Sequence, residues 1–429
     1  MTSIDSAVPP HLRLTPPVDL DALIATAHAQ YRAVRPNSEA ADARARIVLP
    51  AGNTRSVLDY APFPFRAERA EGSQLVDIDG HRYVDFCGNY TAGLLGHSPD
   101  AVKRAIVEAL DNGWALGATH TKEIELAELI CARFPSIEQV RFTNSGTEAN
   151  LMAIGTALHH TSKNTVGVFE KAYHGGVLSF GSKGDPQSPL NVPHHFHLEP
   201  FNDMAALDEM FANLDLGCVL IEVVQGSGGC RVADVEYVQE LRRRCDQHGV
   251  VLIFDEVMTS RLSSGGAQQR YDVMPDMTTL GKYLGGGMTF GAFGGRRKFL
   301  AGFDPVQGGT LTQAGTFNNN VISMAAAIET ISTQLKPELI EAVNDRGDRL
   351  RAQLNATFDD AGLAMWVTGL GSMLTIHAAD DRLLELLFHA AMADGYYLAR
   401  RGFIALSMQV TDEDCGAFAS TIGRWANGL

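Results

Sequence analysis

Residues 218–257, CVLIEVVQGSGGCRVADVEYVQELRRRCDQHGVVLIFDEV, indicate the fold class on their own. The segment begins with the apolar run CVLIEVV and ends with the apolar run VVLIFDEV, each typical of a buried strand. Between them Val238, Leu241 and Cys245 share one stripe of an amphipathic helix, which Gly249 is expected to end. A strand, a helix and a second apolar strand predict an α/β protein whose parallel sheet is covered by helices on both faces. Ligands on such sheets gather at the carboxyl ends of the strands.

A hairpin and a later change of pattern suggest how the chain divides into domains. QLVDIDGHRYVDF is typical of a β-hairpin with a turn at Asp79 and Gly80, and strands alternate with helices after it. Beyond about residue 320 this alternation gives way to long helices, as in NNVISMAAAIETISTQL, and short strands. We expect three parts: an N-terminal segment with a Pro-rich tail and a helix over 1–66, a large domain over 67–325, and a small α+β domain over 326–429.

Composition and charge exclude several classes of function. The chain has 429 residues and a formal net charge of −15, which disfavours a nucleic-acid partner or an anionic membrane surface. No window approaches the ~20 apolar residues that a membrane-spanning helix needs. The six cysteines show no paired spacing and the N-terminus lacks the pattern of a signal peptide. We therefore expect free thiols and a cytoplasmic protein.

Three features carry the chemistry that the sequence suggests. Lys282 stands among the seven glycines of DMTTLGKYLGGGMTFGAFGG, and glycine allows the backbone to approach a ligand closely. Asp255 ends a predicted strand, at the edge where ligands bind. TNSGTEAN places Ser145, Gly146 and Thr147 at the start of a helix, which favours a phosphate. An amine, a buried acid and a phosphate cradle together suit pyridoxal phosphate.

The motifs and their order resemble those of the class III aminotransferases, a fold-type I family that depends on pyridoxal phosphate. The resemblance extends from about Ala51 to the C-terminus. It rests on the motifs LVDIDGHRYVDF, LGH, RFTNSGTEANLMA, YHGG, VVQG, IFDEV, PDMTTLGKYLGGG, GAFGG and GTFNNN. Each motif is weak alone, but their order and spacing together are specific. The resemblance implies a large domain with a mostly parallel sheet and a smaller α+β C-terminal domain.

The resemblance also implies a role for each matching residue. Lys282 resembles the lysine that the family joins covalently to the cofactor, and Asp255 resembles the partner of the pyridine nitrogen. The other matching residues would bind the phosphate (Ser145, Gly146, Thr147), contact the ring (Tyr173, His174, Val257), approach the ring hydroxyl (Gln225) and reach the phosphate of the neighbouring subunit (Thr316). Because Thr316 would serve the neighbour, the resemblance implies a homodimer with shared active sites.

Two subgroups of the family compete as models for the substrate. NTRSVLDYAPFPF, YTAG and GGGMTFGAFGG resemble the aminotransferases of β-amino acids such as β-phenylalanine, which would use a keto acid such as 2-oxoglutarate or pyruvate as acceptor. Glutamate-1-semialdehyde aminomutases, which move the amine within one molecule, share the central motifs. In the first subgroup two arginines hold substrate carboxylates, and Arg55 and Arg401 match them, although the adjacent Arg400 also fits the second position.

Two further interpretations are disfavoured by the residues. A catalytically inactive protein that keeps the fold only for binding would not need the intact Lys282 and Asp255. His194, His195 and His197 in PHHFH could suggest a metal site, but no cysteine or carboxylate cluster supports it, so we expect no metal.

Overall fold

The computed structural model describes residues 18–212 and 215–429, so the Pro-rich tail lies outside the described residues. The helices are α1 Leu20–Ala33, α2 Pro36–Val48, α3 Asp100–Asp111, α4 Thr121–Arg133, α5 Gly146–Thr161, α6 Met204–Phe211, α7 Val235–His248, α8 Ala267–Tyr271, α9 Arg297–Leu300, α10 Val321–Glu329, α11 Pro337–Ala361, α12 Asp381–Ala393 and α13 Asp412–Asn427. The strands are β1 Ala67–Glu71, β2 Gln74–Asp77, β3 Arg82–Asp85, β4 Gln139–Thr143, β5 Thr165–Phe169, β6 His195–Glu199, β7 Leu216–Ile221, β8 Val224–Gln225, β9 Arg231–Val232, β10 Val251–Asp255, β11 Met277–Gly281, β12 Gly291–Gly295, β13 Met365–Leu370, β14 Met373–Ala378, β15 Tyr396–Tyr397 and β16 Phe403–Ala405.

The chain forms two compact units. One combines the described residues up to Pro99 with Val343–Leu429, and the other is Asp100–Ala342. This grouping differs from the three parts suggested by the sequence, because β3 pairs in parallel with β15 and so joins the hairpin to C-terminal residues. The sequence-based boundaries after residues 66 and 325 stay a prediction.

The unit Asp100–Ala342 is built on a seven-stranded sheet with the order β4-β12-β11-β10-β7-β5-β6. β12 runs antiparallel to both of its neighbours, and the other paired strands are parallel. Every residue of β5, β7, β10 and β11 is buried, as continuous apolar runs predict for a sheet covered on both faces. Ala153 and Ala157 of α5 pack with Val168 and Ile253 in the hydrophobic core of this unit. The α/β class is therefore confirmed, with one antiparallel strand in a mostly parallel sheet.

The apolar run 218–224 does not form a single strand. β7 ends just before Glu222, and β8, which follows, pairs with β9 in a separate two-stranded sheet. The buried carboxylate of Glu222 accepts hydrogen bonds from the backbone N–H groups of Tyr173 (3.0 Å) and Gly226 (3.2 Å). The expectation of one strand was wrong because apolar residues flank the break on both sides.

Local signals predicted the end of one helix in this unit but not that of another. Val238, Leu241 and Cys245 of α7 are buried, and Gly249 ends the helix with a left-handed φ of +64°. The long helix expected over NNVISMAAAIETISTQL is shorter, since α10 ends at Glu329 and a π-helical turn follows.

The other unit contains a four-stranded sheet, β1-β2-β3-β15, and a three-stranded sheet, β13-β14-β16. β2 and β3 pair antiparallel as the predicted hairpin, and Gly80 in its turn has a φ of +91°. Buried Asp77 at the end of β2 accepts a hydrogen bond from the Tyr83 hydroxyl at 2.6 Å. Helix α2 was not predicted, although Pro36 in its first turn was an available signal.

Within 18–212 and 215–429 no helix is long and apolar enough to cross a bilayer. All six cysteines are free thiols, as their spacing predicted.

In the seven-stranded sheet, β12 pairs with β4 in a register that places Gly291 opposite Thr143. The close packing of the two strands allows this register to be tested. A Cβ on Gly291 would lie 2.2 Å from the Ser145 carbonyl oxygen. We expect Gly291→Ala to lower the free energy of unfolding by about 1–3 kcal/mol. Gly155→Ala, on the exposed face of α5 with nothing within 4 Å of its Cβ, should instead raise it by about 0.5–1 kcal/mol. Denaturant unfolding measures both, and wild-type stability of Gly291→Ala would contradict the register.

Candidate active site

The carboxylate of Asp255 is the centre of a buried polar network at the end of β10. Asp255 is 4% exposed. Its Oδ2 accepts a hydrogen bond from Asn150 Nδ2 at 2.8 Å and lies 2.7 Å from His174 Nδ1, and its Oδ1 accepts from the Val257 backbone N–H at 3.0 Å. Asn150 is itself fixed, since its Oδ1 accepts from the Thr279 hydroxyl at 2.6 Å. The carboxylate is thus held in one orientation by donors from several elements.

Two further titratable groups lie near this carboxylate. The side chain of His174 is fully buried, and its Nε2 has no hydrogen-bond partner among the described residues. Burial raises the pKa of Glu222 to about 7; the charge of His174 opposes this rise, whereas that of Asp255 adds to it. Perturbed groups of this kind are concentrated in functional sites. Sequence reasoning placed His174 here but missed Glu222 and Asn150.

The first turn of α5 contains the residues that the sequence predicts to bind a phosphate. The Ser145 hydroxyl accepts a hydrogen bond from a first-turn backbone N–H at 3.2 Å. Gly146 and Thr147 come next, at positions where helix N–H groups have no acceptor within the helix. A Cβ on Gly146 would lie 2.6 Å from Val257 Cγ2, and a Cβ on Gly175 would lie 2.1 Å from the Thr147 hydroxyl. Positions 146, in the turn, and 175, beside it, therefore have room only for glycine.

Lys282 follows β11 directly and has a left-handed φ of +53°. That conformation costs a non-glycine residue about 1–2 kcal/mol, and such strain is typical of functional positions. The glycines nearby are explained by packing of the chain on itself. A Cβ on Gly285 would lie 2.5 Å from the Phe290 Cβ, and a Cβ on Gly286 would lie 2.6 Å from the Thr330 hydroxyl.

The remaining predicted cofactor contacts differ in exposure. Tyr173 is 42% exposed, and Thr316 is exposed in a loop beside Phe317, which is 65% exposed. Gln225 is buried, and its Oε1 accepts a hydrogen bond from Arg231 Nε at 3.0 Å while its Nε2 donates to a backbone carbonyl at 2.9 Å. Arg231, which sequence reasoning missed, therefore holds the amide in place.

In the other unit, the two arginines expected to bind substrate lie near one aromatic ring. The guanidinium carbon of Arg55 is 5.2 Å from the ring centre of Tyr90, and that of Arg401 is 5.6 Å from it. Arg55 Nη1 also donates to Asn89 Oδ1 at 2.9 Å. Sequence reasoning missed Asn89 and Tyr90, although both belong to the quoted region around YTAG.

Arg400 and Arg401 have different partners. Arg400 Nε donates to Glu385 Oε2 at 2.6 Å and so forms an ion pair with α12. Arg401 lies instead over the rings of Tyr90 and Phe403. This arrangement favours Arg401 over Arg400 as the second substrate anchor.

Glu385 also belongs to a cluster of side chains of the types that can bind a metal ion. His28 Nε2 and His389 Nε2 lie 2.8 and 3.2 Å from Glu385 Oε1, and the three ligand atoms lie within 4.8 Å of one another. The positive charge of Arg400 on the same carboxylate opposes a bound cation. We interpret the cluster as a hydrogen-bonded ion network that attaches α1 to α12.

The groups in Asp100–Ala342 fit pyridoxal phosphate. A fixed, buried carboxylate suits a protonated ring nitrogen, and the open first turn of α5 suits a phosphate. Lys282, at the end of the neighbouring strand β11, supplies an amine.

Comparisons with known proteins identify the family. Residues 57–424 match the aminotransferase class-III family. The chain is 44% identical over 425 residues to the β-phenylalanine transaminase of Variovorax paradoxus, covering 95% of this chain and 97% of that protein. The solved structure of a β-phenylalanine aminotransferase from Variovorax paradoxus matches with a TM-score of 0.92 at 42% identity, covering 96% and 98% of the two chains. A glutamate-1-semialdehyde 2,1-aminomutase of Methanococcoides burtonii is 37% identical over 355 residues, covering 79% and 83%.

The chain therefore belongs to the class III aminotransferases, as its motifs indicated. It is a transaminase of the fold-type I class that depends on pyridoxal phosphate. When bound, this cofactor withdraws electrons from the carbon that carries the amine. The roles of the individual residues stay predictions.

The raised pKa of Glu222 gives a pH-dependent contribution to stability. The ordinary pKa of a glutamate is 4.5. Between pH 4.5 and about pH 7, Glu222 therefore keeps its proton in the folded protein, whereas in the unfolded chain it has lost it. The contribution of Glu222 to the free energy of unfolding is therefore complete below pH 4.5 and is lost as the pH rises through about 7. Glu222→Gln cannot titrate, so its free energy of unfolding should fall less between pH 5 and pH 8 than that of wild type.

Denaturant unfolding at several pH values measures this difference. Glu68→Gln, which changes an exposed glutamate on β1, is the matched control and should keep the wild-type pH dependence. The same dependence in Glu222→Gln as in wild type would contradict the raised pKa.

Proposed function

We propose that this enzyme transfers the amino group of a β-amino acid resembling β-phenylalanine to a keto acid such as 2-oxoglutarate or pyruvate. The observation that carries the proposal is the 44% identity, over almost the whole chain, to a β-phenylalanine transaminase. The arrangement of Arg55 and Arg401 around Tyr90 supports it, because two guanidiniums near one ring suit substrates with carboxylates.

In this proposal each residue of the cofactor site has one task. Lys282 would hold the cofactor covalently, and its Nζ, once the substrate amine has displaced it, would remove and return the proton at the substrate carbon that carries the amine. Asp255 keeps a proton on the pyridine nitrogen, and Asn150 and His174 hold its carboxylate in position. The remaining contacts would bind the phosphate (Ser145, Gly146, Thr147), cover the ring faces (Tyr173, Val257) and approach the ring hydroxyl (Gln225).

A homodimer with shared active sites is part of the proposal. Exposed Thr316, beside the exposed ring of Phe317, would contact the phosphate bound by the partner subunit. A cytoplasmic location also stays a prediction.

The second candidate is the intramolecular transfer of an aminomutase, favoured by the 37% identity to a glutamate-1-semialdehyde 2,1-aminomutase. The two reactions differ in whether a keto acid is needed. Purified enzyme with added pyridoxal phosphate is incubated with β-phenylalanine, with and without 2-oxoglutarate or pyruvate, and Lys282→Ala is the inactive control. The proposal requires product only when a keto acid is present. Inert β-amino donors, with glutamate-1-semialdehyde converted unaided, would establish the aminomutase instead.

The network around Asp255 predicts a variant that keeps the cofactor but loses turnover. Asp255→Asn preserves size and polarity, but an amide cannot hold a proton on the ring nitrogen by its charge. We expect bound cofactor, seen by absorbance, with turnover reduced at least about tenfold. Asp272→Asn, in the same unit at the end of α8, is the control and should keep wild-type turnover. Wild-type turnover in Asp255→Asn would show that this acid is not the ring partner.

Arg55 provides the test of carboxylate binding. Breaking a bidentate arginine–carboxylate pair costs about 2–4 kcal/mol, so Arg55→Ala should lower kcat/KM for β-phenylalanine at least tenfold. Cofactor absorbance should stay unchanged. Arg44→Ala, which removes an exposed arginine of α2, should have little effect on either quantity. An unchanged kcat/KM in Arg55→Ala would exclude Arg55 as the anchor.

A further inference from the structure

The loop that carries Thr316 presents this residue at the centre of a turn. We call residues 313–319 the Thr316 loop. A hydrogen bond from the Asn318 backbone N–H to the Gly315 carbonyl at 3.1 Å closes the turn, and Thr316 and Phe317 are its two central residues. Both are exposed. The position of Thr316 therefore depends on what holds the two sides of the turn.

On the side before the turn, Gln313 attaches the Thr316 loop to β4. Gln313 Nε2 donates to the Phe142 carbonyl at 2.7 Å, and Gln313 Oε1 accepts from Arg141 Nε at 2.6 Å. A guanidinium can only donate and a carbonyl can only accept, so the two partners fix the orientation of the amide. One side of the turn is thus held to the last residues of β4.

On the side after the turn, Asn318 attaches the Thr316 loop to Asn144, the residue that follows β4. Asn144 Nδ2 donates to Asn318 Oδ1 at 3.0 Å. The Glu148 carboxylate fixes the Asn144 amide, since it accepts from the Asn144 backbone N–H at 2.8 Å and from Nδ2 at 3.4 Å. A Cβ on Gly315 would lie 2.4 Å from Asn318 Oδ1, so glycine at this position leaves room for the Asn318 side chain.

The end of the Thr316 loop is joined to the start of α4. Asn319 Nδ2 donates to the Ala118 carbonyl at 3.2 Å and to Glu123 Oε1 at 2.9 Å, and the Asn319 carbonyl accepts from His120 Nε2 at 2.8 Å. These contacts fix the base of the loop. Gln313 and Asn318 are the residues that connect the turn itself to the junction between β4 and α5.

This junction is connected to both of the phosphate contacts assigned in the proposed function. Asn144 leads directly into Ser145 and the first turn of α5, which would bind the phosphate of its own subunit. Through its amide Asn144 also holds the loop of Thr316, which would serve the partner subunit. One short segment of each subunit thus supports two different cofactor sites.

We propose that Gln313 and Asn318 are positioning residues that hold Thr316 for the phosphate bound by the partner subunit, so that the β4–α5 junction of each subunit controls cofactor binding at both sites of the dimer. This inference rests on the shared active sites of the proposed function. Loss of a loop contact should weaken cofactor binding in the partner subunit and not in the subunit that carries the substitution. A change at Asn144 should weaken both, because Asn144 also precedes the phosphate turn of its own subunit.

Hybrid dimers separate the two sites. Two differently tagged chains are co-expressed, and dimers that contain one of each are purified through both tags. One chain carries Lys282→Ala, so the absorbance of covalently bound cofactor reports only the site with the intact Lys282. Titrating the cofactor-free hybrid with pyridoxal phosphate gives the dissociation constant at that site. A further substitution is placed on the Lys282→Ala chain, the trans arrangement, or on the other chain, the cis arrangement.

Asn318→Ala in the trans arrangement should raise this dissociation constant at least about threefold, because one hydrogen bond that holds the turn is lost. In the cis arrangement it should leave the constant unchanged. Gln313→Ala should give the same pattern, and Asn144→Ala should weaken binding in both arrangements. Asn164→Ala, which removes an exposed asparagine just before β5, is the control and should have no effect in either. A folding defect does not produce a trans effect alone, since it would damage the site of the substituted subunit first.

Thr316→Ala in the trans arrangement separates this inference from the proposed function. If Thr316→Ala weakens binding in trans while Asn318→Ala and Gln313→Ala do not, or if these two variants weaken binding equally in cis and in trans, the inference is overturned and the shared site stands. No effect of Thr316→Ala in trans would refute the shared site, and the inference with it. If the hybrids show the expected pattern but the enzyme fails to transaminate β-phenylalanine, the proposed substrate is wrong and the positioning role of Gln313 and Asn318 stands.

Discussion

The buried carboxylate of Asp255 is the constraint on which the unit Asp100–Ala342 depends. A charge placed at the end of a covered strand must be satisfied by donors, and those donors come from separate parts of the chain. Asn150 reaches the carboxylate from α5, and Thr279, which pairs with Asp255 across β10 and β11, holds Asn150. The sheet register and the position of α5 are therefore fixed by the same network that orients the acid.

The first turn of α5 belongs to this arrangement. The helix that supplies Asn150 begins with Gly146, so the carboxylate partner and the turn proposed to bind the phosphate share one rigid element. Val257 follows the same carboxylate and packs against the turn so closely that Gly146 can carry no side chain. A change in one of these contacts would displace the others.

Local signals in the sequence predicted much of this architecture, but long-range pairing could not be predicted. Asp255 at a strand end and Ser145 at a helix cap depend on nearby residues, and the structure places both where their sequence context indicated. Asn150 contacts Asp255 across many residues of chain, so no local pattern marks that contact, and His174 was placed near the site only through the resemblance of YHGG to the family's motif. The choice between neighbouring arginines likewise depends on tertiary structure, because Glu385, which binds Arg400, and Tyr90, which lies near Arg401, are distant from them in sequence.

Helix α1 is connected to the proposed substrate anchor through its contact with α12. His28 of α1 contacts Glu385, which also binds Arg400, the residue before the proposed substrate anchor Arg401. A displaced α1 would leave Glu385 with fewer partners and loosen the backbone that carries Arg401. If Arg401 binds the acceptor as proposed, substitutions in α1 would alter the choice of amino acceptor.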